Sequence, residues 1–457
     1  MKKILGAFTL ALAGCATGPA YKVPTAPLSA EFKEAQGWQP AAPADLLEKG
    51  AWWELFGDAT LNDLARQVEV NNQNVAAAAA RYAQARAAVA EQRAELFPVV
   101  TLDASANRSG GGGDTRSASQ YRVNIGASWE PDVWGRLRAG VSGAQASAQA
   151  SEADVAAARL AAQGELAANY IGLRLSDAQL GLLDETVEGY QRVLQITQNR
   201  VNAGVAPSSD LLQAQTQLAD ASADRLTLQR QRAQLEHAVA ILLGKAPADF
   251  TLQPAPWALQ VPDIPAGLPS TLLERRPDIA AAERRVAAAN AQIGIARSAY
   301  FPSLSLGGSY GVAGSQLGGL FSASNTLWSL GLSAAQAVFH AGATGARVDQ
   351  ASAARDVAVA NYRQSVLDAL GDVENQLAAS KALAQQQALR ETSAAAASQV
   401  EQQMLNRYRA GQVGYTEVVT AQVTALNARR ALLQAQADRQ STAVALVQAL
   451  GGGWRAR

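Results

Sequence analysis

The 457-residue chain is poor in the residues that do chemistry: one cysteine, two histidines and 6% aromatics. A lone Cys15 excludes an intramolecular disulfide. His237 and His340 have no acidic partner at metal-ligand spacing, so no metal site is expected. Lys+Arg and Asp+Glu are both 39, giving a formal net charge of zero. That excludes the basic surface with which a nucleic-acid binder neutralises phosphates. No run reaches the roughly 18 apolar residues that a membrane-spanning helix requires. What remains is rich in Ala, Gln and Arg, a composition suited to long helices packed through small residues.

The N-terminus reads "MKKILGAFTLALAGCATG". Lys2 and Lys3 precede an apolar stretch over 4–12, and Leu12-Ala13-Gly14-Cys15 follows at once, so residues 1–14 form a short export signal and not structure. "LAGC" resembles a bacterial lipobox, which makes Cys15 the lipidated first residue of the mature chain. Ala16 after it, instead of Asp, favours the outer membrane by the known sorting rule. Acyl chains of this kind anchor a protein without spanning the bilayer.

The chain is a duplicated unit. Pro98 and Pro302 lie 204 positions apart, and "RYAQARAAVAEQRAELFP" (81–98) parallels "RRVAAANAQIGIARSAYFP" (284–302). "RVNAGVAPSSDLLQAQTQL" (200–218) parallels "RYRAGQVGYTEVVTAQVTAL" (407–426). The repeats cover 58–243 and 275–450. An N-terminal segment (15–57), a connector (244–274) and a tail (451–457) complete the chain. Prolines at 247, 254, 256, 262, 265 and 269 predict a helix-free connector. Proline-free reaches predict long helices over 138–203 and 344–410, each roughly 100 Å at 1.5 Å per residue. Shorter helices are predicted over 58–96, 208–243, 275–298 and 415–450.

After Phe97-Pro98 and Phe301-Pro302 the period changes from helical to alternating. Strands are expected near 99–108, 121–130, 303–312 and 327–336, each about the length of a strand tilted across a bilayer. Proline removes a helix donor, and the preceding phenylalanine can rest in the headgroup layer. The dipeptides thus mark where the chain passes from aqueous helix into the membrane. Four strands cannot close a barrel, and an open edge in hydrocarbon leaves backbone groups unpaired at several kcal/mol each. Copies must therefore assemble, and three would supply twelve strands.

"AWWELFGDATLNDL" (51–64) and "LLERRPDIAAAERRVAAANAQIGIARSAYFPSLSL" (272–306) resemble the TolC-like outer membrane factors, in particular their NodT/OprM-type lipoprotein branch. The resemblance covers nearly the whole mature chain. It implies a mainly α fold with a membrane β-barrel. Long helical hairpins would form a periplasmic α-barrel, with four strands per protomer closing a twelve-stranded barrel in a homotrimer. The implied function is the exit duct of a tripartite efflux system, fed by an inner-membrane RND transporter through a periplasmic adaptor. The alternative is a duct for protein secretion with an ABC transporter. No cofactor is implied.

The resemblance also places a gate or adaptor contact at the hairpin tips, here Gly204 and Asp210 in the first, and Tyr408, Arg409, Gly411 and Glu417 in the second. Glycine permits each tight reversal. Three copies would set Asp210 and Glu417 in acidic rings that favour cations. Equally, both carboxylates suit a helix start. The second acidic residue common in the family near Thr420 is missing. "GGSYG" (307–311) matches a nucleophile pattern, but Ser309 falls within an alternating strand, so catalysis is not expected.

Overall fold

A computed structural model of the chain describes residues 18–35, 50–110, 118–257, 260–262, 264 and 272–454. The signal and Cys15 lie outside them. Among the described residues, seven α-helices of more than one turn and four strands are arranged as α1 (Ala59–Asn71), α2 (Gln73–Ala94), β1 (Val99–Ser109), β2 (Ala118–Trp129), α3 (Arg136–Asn202), α4 (Ser208–Leu242), α5 (Pro277–Ser298), β3 (Ser303–Gly314), β4 (Thr326–Ala335), α6 (Ala343–Arg409) and α7 (Tyr415–Ala449). The duplication is exact in length where it counts: α3 and α6 both have 67 residues, α4 and α7 both 35. No helix among the described residues is long and apolar enough to cross a membrane.

Two expectations need correction. The helix predicted over 58–96 is two helices, because Asn72 intervenes in an extended conformation. Its side-chain oxygen accepts from the Asn74 and Val75 N–H groups at 2.9 and 3.2 Å, and its amide donates to the Leu242 carbonyl at 2.9 Å. Asparagine thus caps a new helix while closing the C-terminus of α4. The connector is not free of helix either. Pro247–Asp249 forms a 3₁₀ turn with proline at its first position, where no N–H is needed, and Leu272–Arg275 a single α-turn.

The chain divides into two compact units, each drawing on both repeats. The first comprises residues up to Ala26, Ala80–Glu152 and Ala281–Gln364. It holds one antiparallel sheet in the order β1-β2-β3-β4. Register joins Leu102 to Ile125, Ile125 to Tyr310 and Tyr310 to Trp328, an apolar row across all four strands. The neighbouring row, on the opposite face, is Thr101, Gly126, Ser309 and Ser329. All four apolar residues of the first row are uncovered. The outer edges of β1 and β4 pair with no strand among the described residues.

The second unit comprises Pro27–Ala79, Ala153–Ala280 and Ser365–Arg457. Asp58 starts α1 by accepting from Thr60 and Leu61 N–H at 2.8 and 3.0 Å. The helix then buries Leu61, Leu64, Ala65 and Val68, one face of a 3.6-residue period. Just before it, Trp52, Trp53 and Phe56 sit edge to face in the core, and Trp52 donates to Gln163 at 3.3 Å.

Candidate functional site

Both Phe-Pro breaks have the same construction. At the first, Phe97 N–H closes a tight turn on the Ala94 carbonyl at 3.0 Å; at the second, Phe301 does so on Ser298 at 3.0 Å. Strands begin immediately after Pro98 and Pro302. A tryptophan braces each break: Trp129 Nε1 donates to the Leu96 carbonyl at 2.9 Å, and Trp134 Nε1 to the Pro302 carbonyl at 2.7 Å. Trp134 also stacks on Phe301, with centroids 4.8 Å apart. An amphipathic ring with one satisfied N–H suits an interface between water and lipid.

The return from β2 into α3 is held by Asp132. It accepts from the Leu137 and Arg138 N–H groups at 3.0 and 2.9 Å and pairs with the Arg138 guanidinium at 3.0 Å. Burial opposes its ionisation, but the two N–H donors and the guanidinium prevail and hold the carboxyl below its usual range.

At the far ends of the long helices stand the two hairpin tips, both in the second unit. Gly204 and Gly411 each have φ 72°, the left-handed conformation that ends a helix. Val205 N–H reaches the Arg200 carbonyl and Gln412 N–H the Arg407 carbonyl, both at 2.9 Å. The backbone turns are therefore the same Schellman motif.

The side chains differ. Tyr408 is 1% exposed, packed with Tyr415, Val193, Ala214 and Val418. Its hydroxyl lies 3.1 Å from Thr197 Oγ1, while Arg200 donates to its carbonyl at 2.6 Å and covers its ring at 4.5 Å. Tyr408 is thus the bond between the two tips of one chain. Burial, with Tyr408, Tyr190 and Asp210 nearby, pushes the Tyr415 hydroxyl well above the usual tyrosine value.

Arg409 and Glu417 are exposed, and Asp210 is half-buried. Neither α4 nor α7 has a side-chain cap, since Pro207 and Gly414 hold those places. The two carboxylates stand in uncapped first turns, where they complement free N–H groups. Beside Glu417 a groove of about 440 Å³ runs between α6 and α7, lined by Ala397, Val400, Met404, Thr416, Thr420, Ala421 and Thr424.

One network has no signature in the sequence. Arg174 and Asp177, 4% exposed each, form an ion pair at 3.0 Å, and Asp177 also accepts from Arg232 at 2.6 Å. Arg174 donates to the Gln253 carbonyl at 2.9 Å and Arg232 to the Leu252 carbonyl at 2.6 Å, stitching the connector to α3 and α4. Tyr170 joins by accepting from Arg174 at 3.1 Å and donating to Asp58 at 2.7 Å. Burial first, and then the Asp58 carboxylate, push its hydroxyl up to about 12, against the opposing pull of Arg174. Arg276 of "RPDI" is half-buried and pairs with two more exposed carboxylates, Asp278 at 2.7 Å and Asp372 at 3.2 Å. Ser309 lies inside β3 with its hydroxyl 2.8 Å from Ser329, with no strand-to-helix turn around it.

The family model for outer membrane efflux proteins matches residues 64–245 and 268–452. The chain is 35% identical to the solvent efflux pump outer membrane protein SrpC of Pseudomonas putida, over 97% of both chains. To the cation efflux system protein CusC of Escherichia coli K12 it is 31% identical, again over 97% of both. Among solved structures, the outer-membrane channel OprN superposes with a TM-score of 0.89 at 31% identity, covering 96% of this chain and 100% of that one. The open state of the Neisseria gonorrhoeae MtrE outer membrane channel gives 0.87 at 28% identity, covering 96% and 99%. Sheet, paired helical hairpins and family match agree: the chain belongs to the outer membrane efflux protein family and has the fold of the trimeric TolC-like channels.

Proposed function

We propose that the protein is the passive exit duct of a tripartite efflux system, conducting drugs or other small molecules from an inner-membrane RND-type pump and a periplasmic adaptor to the exterior. The observation that carries this reading is the four-stranded sheet with one apolar and one polar face and two open edges. Three copies make a twelve-stranded barrel with lipid outside and water inside. The duct needs no catalytic residue, cofactor or metal, because the pump supplies the driving force. The lumen face carries mostly serine, threonine, asparagine and glycine, with Asp103 and Arg122 as charged groups among them. It has few features with which to select cargo, so the substrate range follows the pump.

Phe97, Pro98, Phe301 and Pro302 set the periplasmic membrane boundary in this reading. Gly204, Asp210, Tyr408, Arg409, Gly411 and Glu417 form the gate and the surface offered to the adaptor. Cys15 is the lipid anchor. Its position is supported by residues 18–26, which lie along α5 and α6: Asn290 donates to the Pro19 carbonyl at 2.9 Å and Arg363 to the Thr25 carbonyl at 3.1 Å. A Cβ on Gly18 would come within 3.1 Å of the Gly294 Cα, one turn before the end of α5. Cys15 is three residues before Gly18, about 11 Å of chain at most. Deleting the gene in a strain without other ducts should raise susceptibility to the pump's substrates; unchanged susceptibility would refute the efflux role.

A further inference from the structure

We infer the register in which β4 of one copy pairs with β1 of the next, an inference that rests on the trimer reading above. Two offsets relate the halves. From β1 to β3 it is 204, since Val99 and Ser303 each begin a strand directly after the Phe-Pro proline. From β2 to β4 it is 207: Val99 faces Ser128, Ser303 faces Ala335, and Ser128 and Ala335 are 207 positions apart. The same 207 separates the first residues of α3 and α6, and the positive-φ glycines before them, Gly135 and Gly342.

Within the chain, β2 and β3 already show how the end of one half meets the start of the other. Trp129 faces Leu306. Advancing β2 by 207 gives Gln336, and returning β3 by 204 gives Leu102. So Gln336 of one copy opposes Leu102 of its neighbour, Leu332 opposes Ala106, and Ser333 opposes Ser105.

Two independent features agree. A one-residue slip would set the apolar face of β4 against the polar face of β1, and this register does not. It also sets Val338 and Phe339, 95% and 87% exposed, against Val100 and Val99, 65% and 59% exposed. Both sides of that contact are bare in one copy and covered in the assembly, where β4 lengthens past Ala335 along the neighbour's β1.

The test is cross-linking in full-length chains in outer membrane. Cysteines replace Ser105 and Ser333, both on the water-facing side, and are joined by oxidation or by the shortest bis-thiosulfonate linker. Within one chain the two residues lie three strand spacings apart across the sheet, about 14 Å, and about eight residues apart along it, because Ser105 faces Arg122 and Arg122 faces Ala313, which is too far for a disulfide. The Ser105→Cys, Ser333→Cys pair should give covalent dimers and trimers at several times the rate of Ser105→Cys with Gly331→Cys or with Ala335→Cys. A second matched pair, Thr101→Cys with Ala337→Cys, should behave like the first. Faster linking of either mismatched pair overturns the register. No linking of any pair in material that sediments as a trimer overturns the β4–β1 contact. Monomeric material would overturn the trimer reading itself, and this proposal with it.

Discussion

Val201 and Ser208 flank the turn between α3 and α4; Tyr408 and Tyr415 hold the corresponding places, 207 positions later, between α6 and α7. Backbone geometry is common to the two turns, down to the φ of Gly204 and Gly411. Yet only the second tip carries rings that reach across to the first, through Thr197 and Arg200. Duplication preserved what backbone hydrogen bonding requires. Divergence fell on the side chains that decide which neighbour each tip holds. Within the chain the second tip is tied to the first through Tyr408, while Val201 and Ser208 at the matching places carry no ring to do the same.

The largest expected effect comes from emptying the second tip. Tyr408→Ala should cost about 3–5 kcal/mol locally, exposing the tips to protease and raising conductance in planar bilayers. Val201→Ala, at the matching place, should cost about 1 kcal/mol or less. Equal effects would break the asymmetry.

Alkali should act on the same side. Burial raises the Tyr415 hydroxyl above its ordinary value, so its contribution is complete below about pH 10, where free tyrosine ionises, and is lost as pH rises beyond. Following the tips by protease sensitivity between pH 9 and 11, Tyr415→Phe should flatten the loss, whereas a change at Ser208 should not. Tyr408→Phe keeps the ring on Arg200 and removes only the Thr197 bond, about 1–2 kcal/mol.

Gly204→Ala and Gly411→Ala should each cost about 1 kcal/mol, the penalty of a Cβ in the left-handed region. Unequal costs in denaturant melts would show that the turns are not equivalent after all. Smallest in stability is the pair Asp210→Asn and Glu417→Gln, within about 0.5 kcal/mol. Single-channel recordings should still lose cation preference; unchanged selectivity would remove the acidic-ring role and leave these groups as helix-start charges.

Much of this was legible in order along the chain. Proline-free reaches marked α3 and α6 to within two residues, because nothing local interrupts such helices. The Phe-Pro dipeptides marked both helix-to-strand changes, since proline withdraws a donor whatever surrounds it. Asn72 was not legible as a break: its capping role depends on the Leu242 carbonyl, 170 positions away. Nor did Tyr408 announce itself as a buried tie, because a tyrosine beside a tip glycine looks the same whether it faces water or a second hairpin. Arg174, Asp177 and Arg232 read as ordinary helix-surface charges until the connector lies over them.

By itself the sequence determined the periodicities, the duplication and the fact that one copy carries too few strands. These follow from local rules: backbone donors, glycine's φ range and the side-chain period of helix and strand. Only the tertiary structure decided which side chains of the repeated elements meet, and so which tip is tied, which arginines are buried and which edges remain open. Such contacts depend on residues hundreds of positions apart, and no local pattern encodes a partner at that distance.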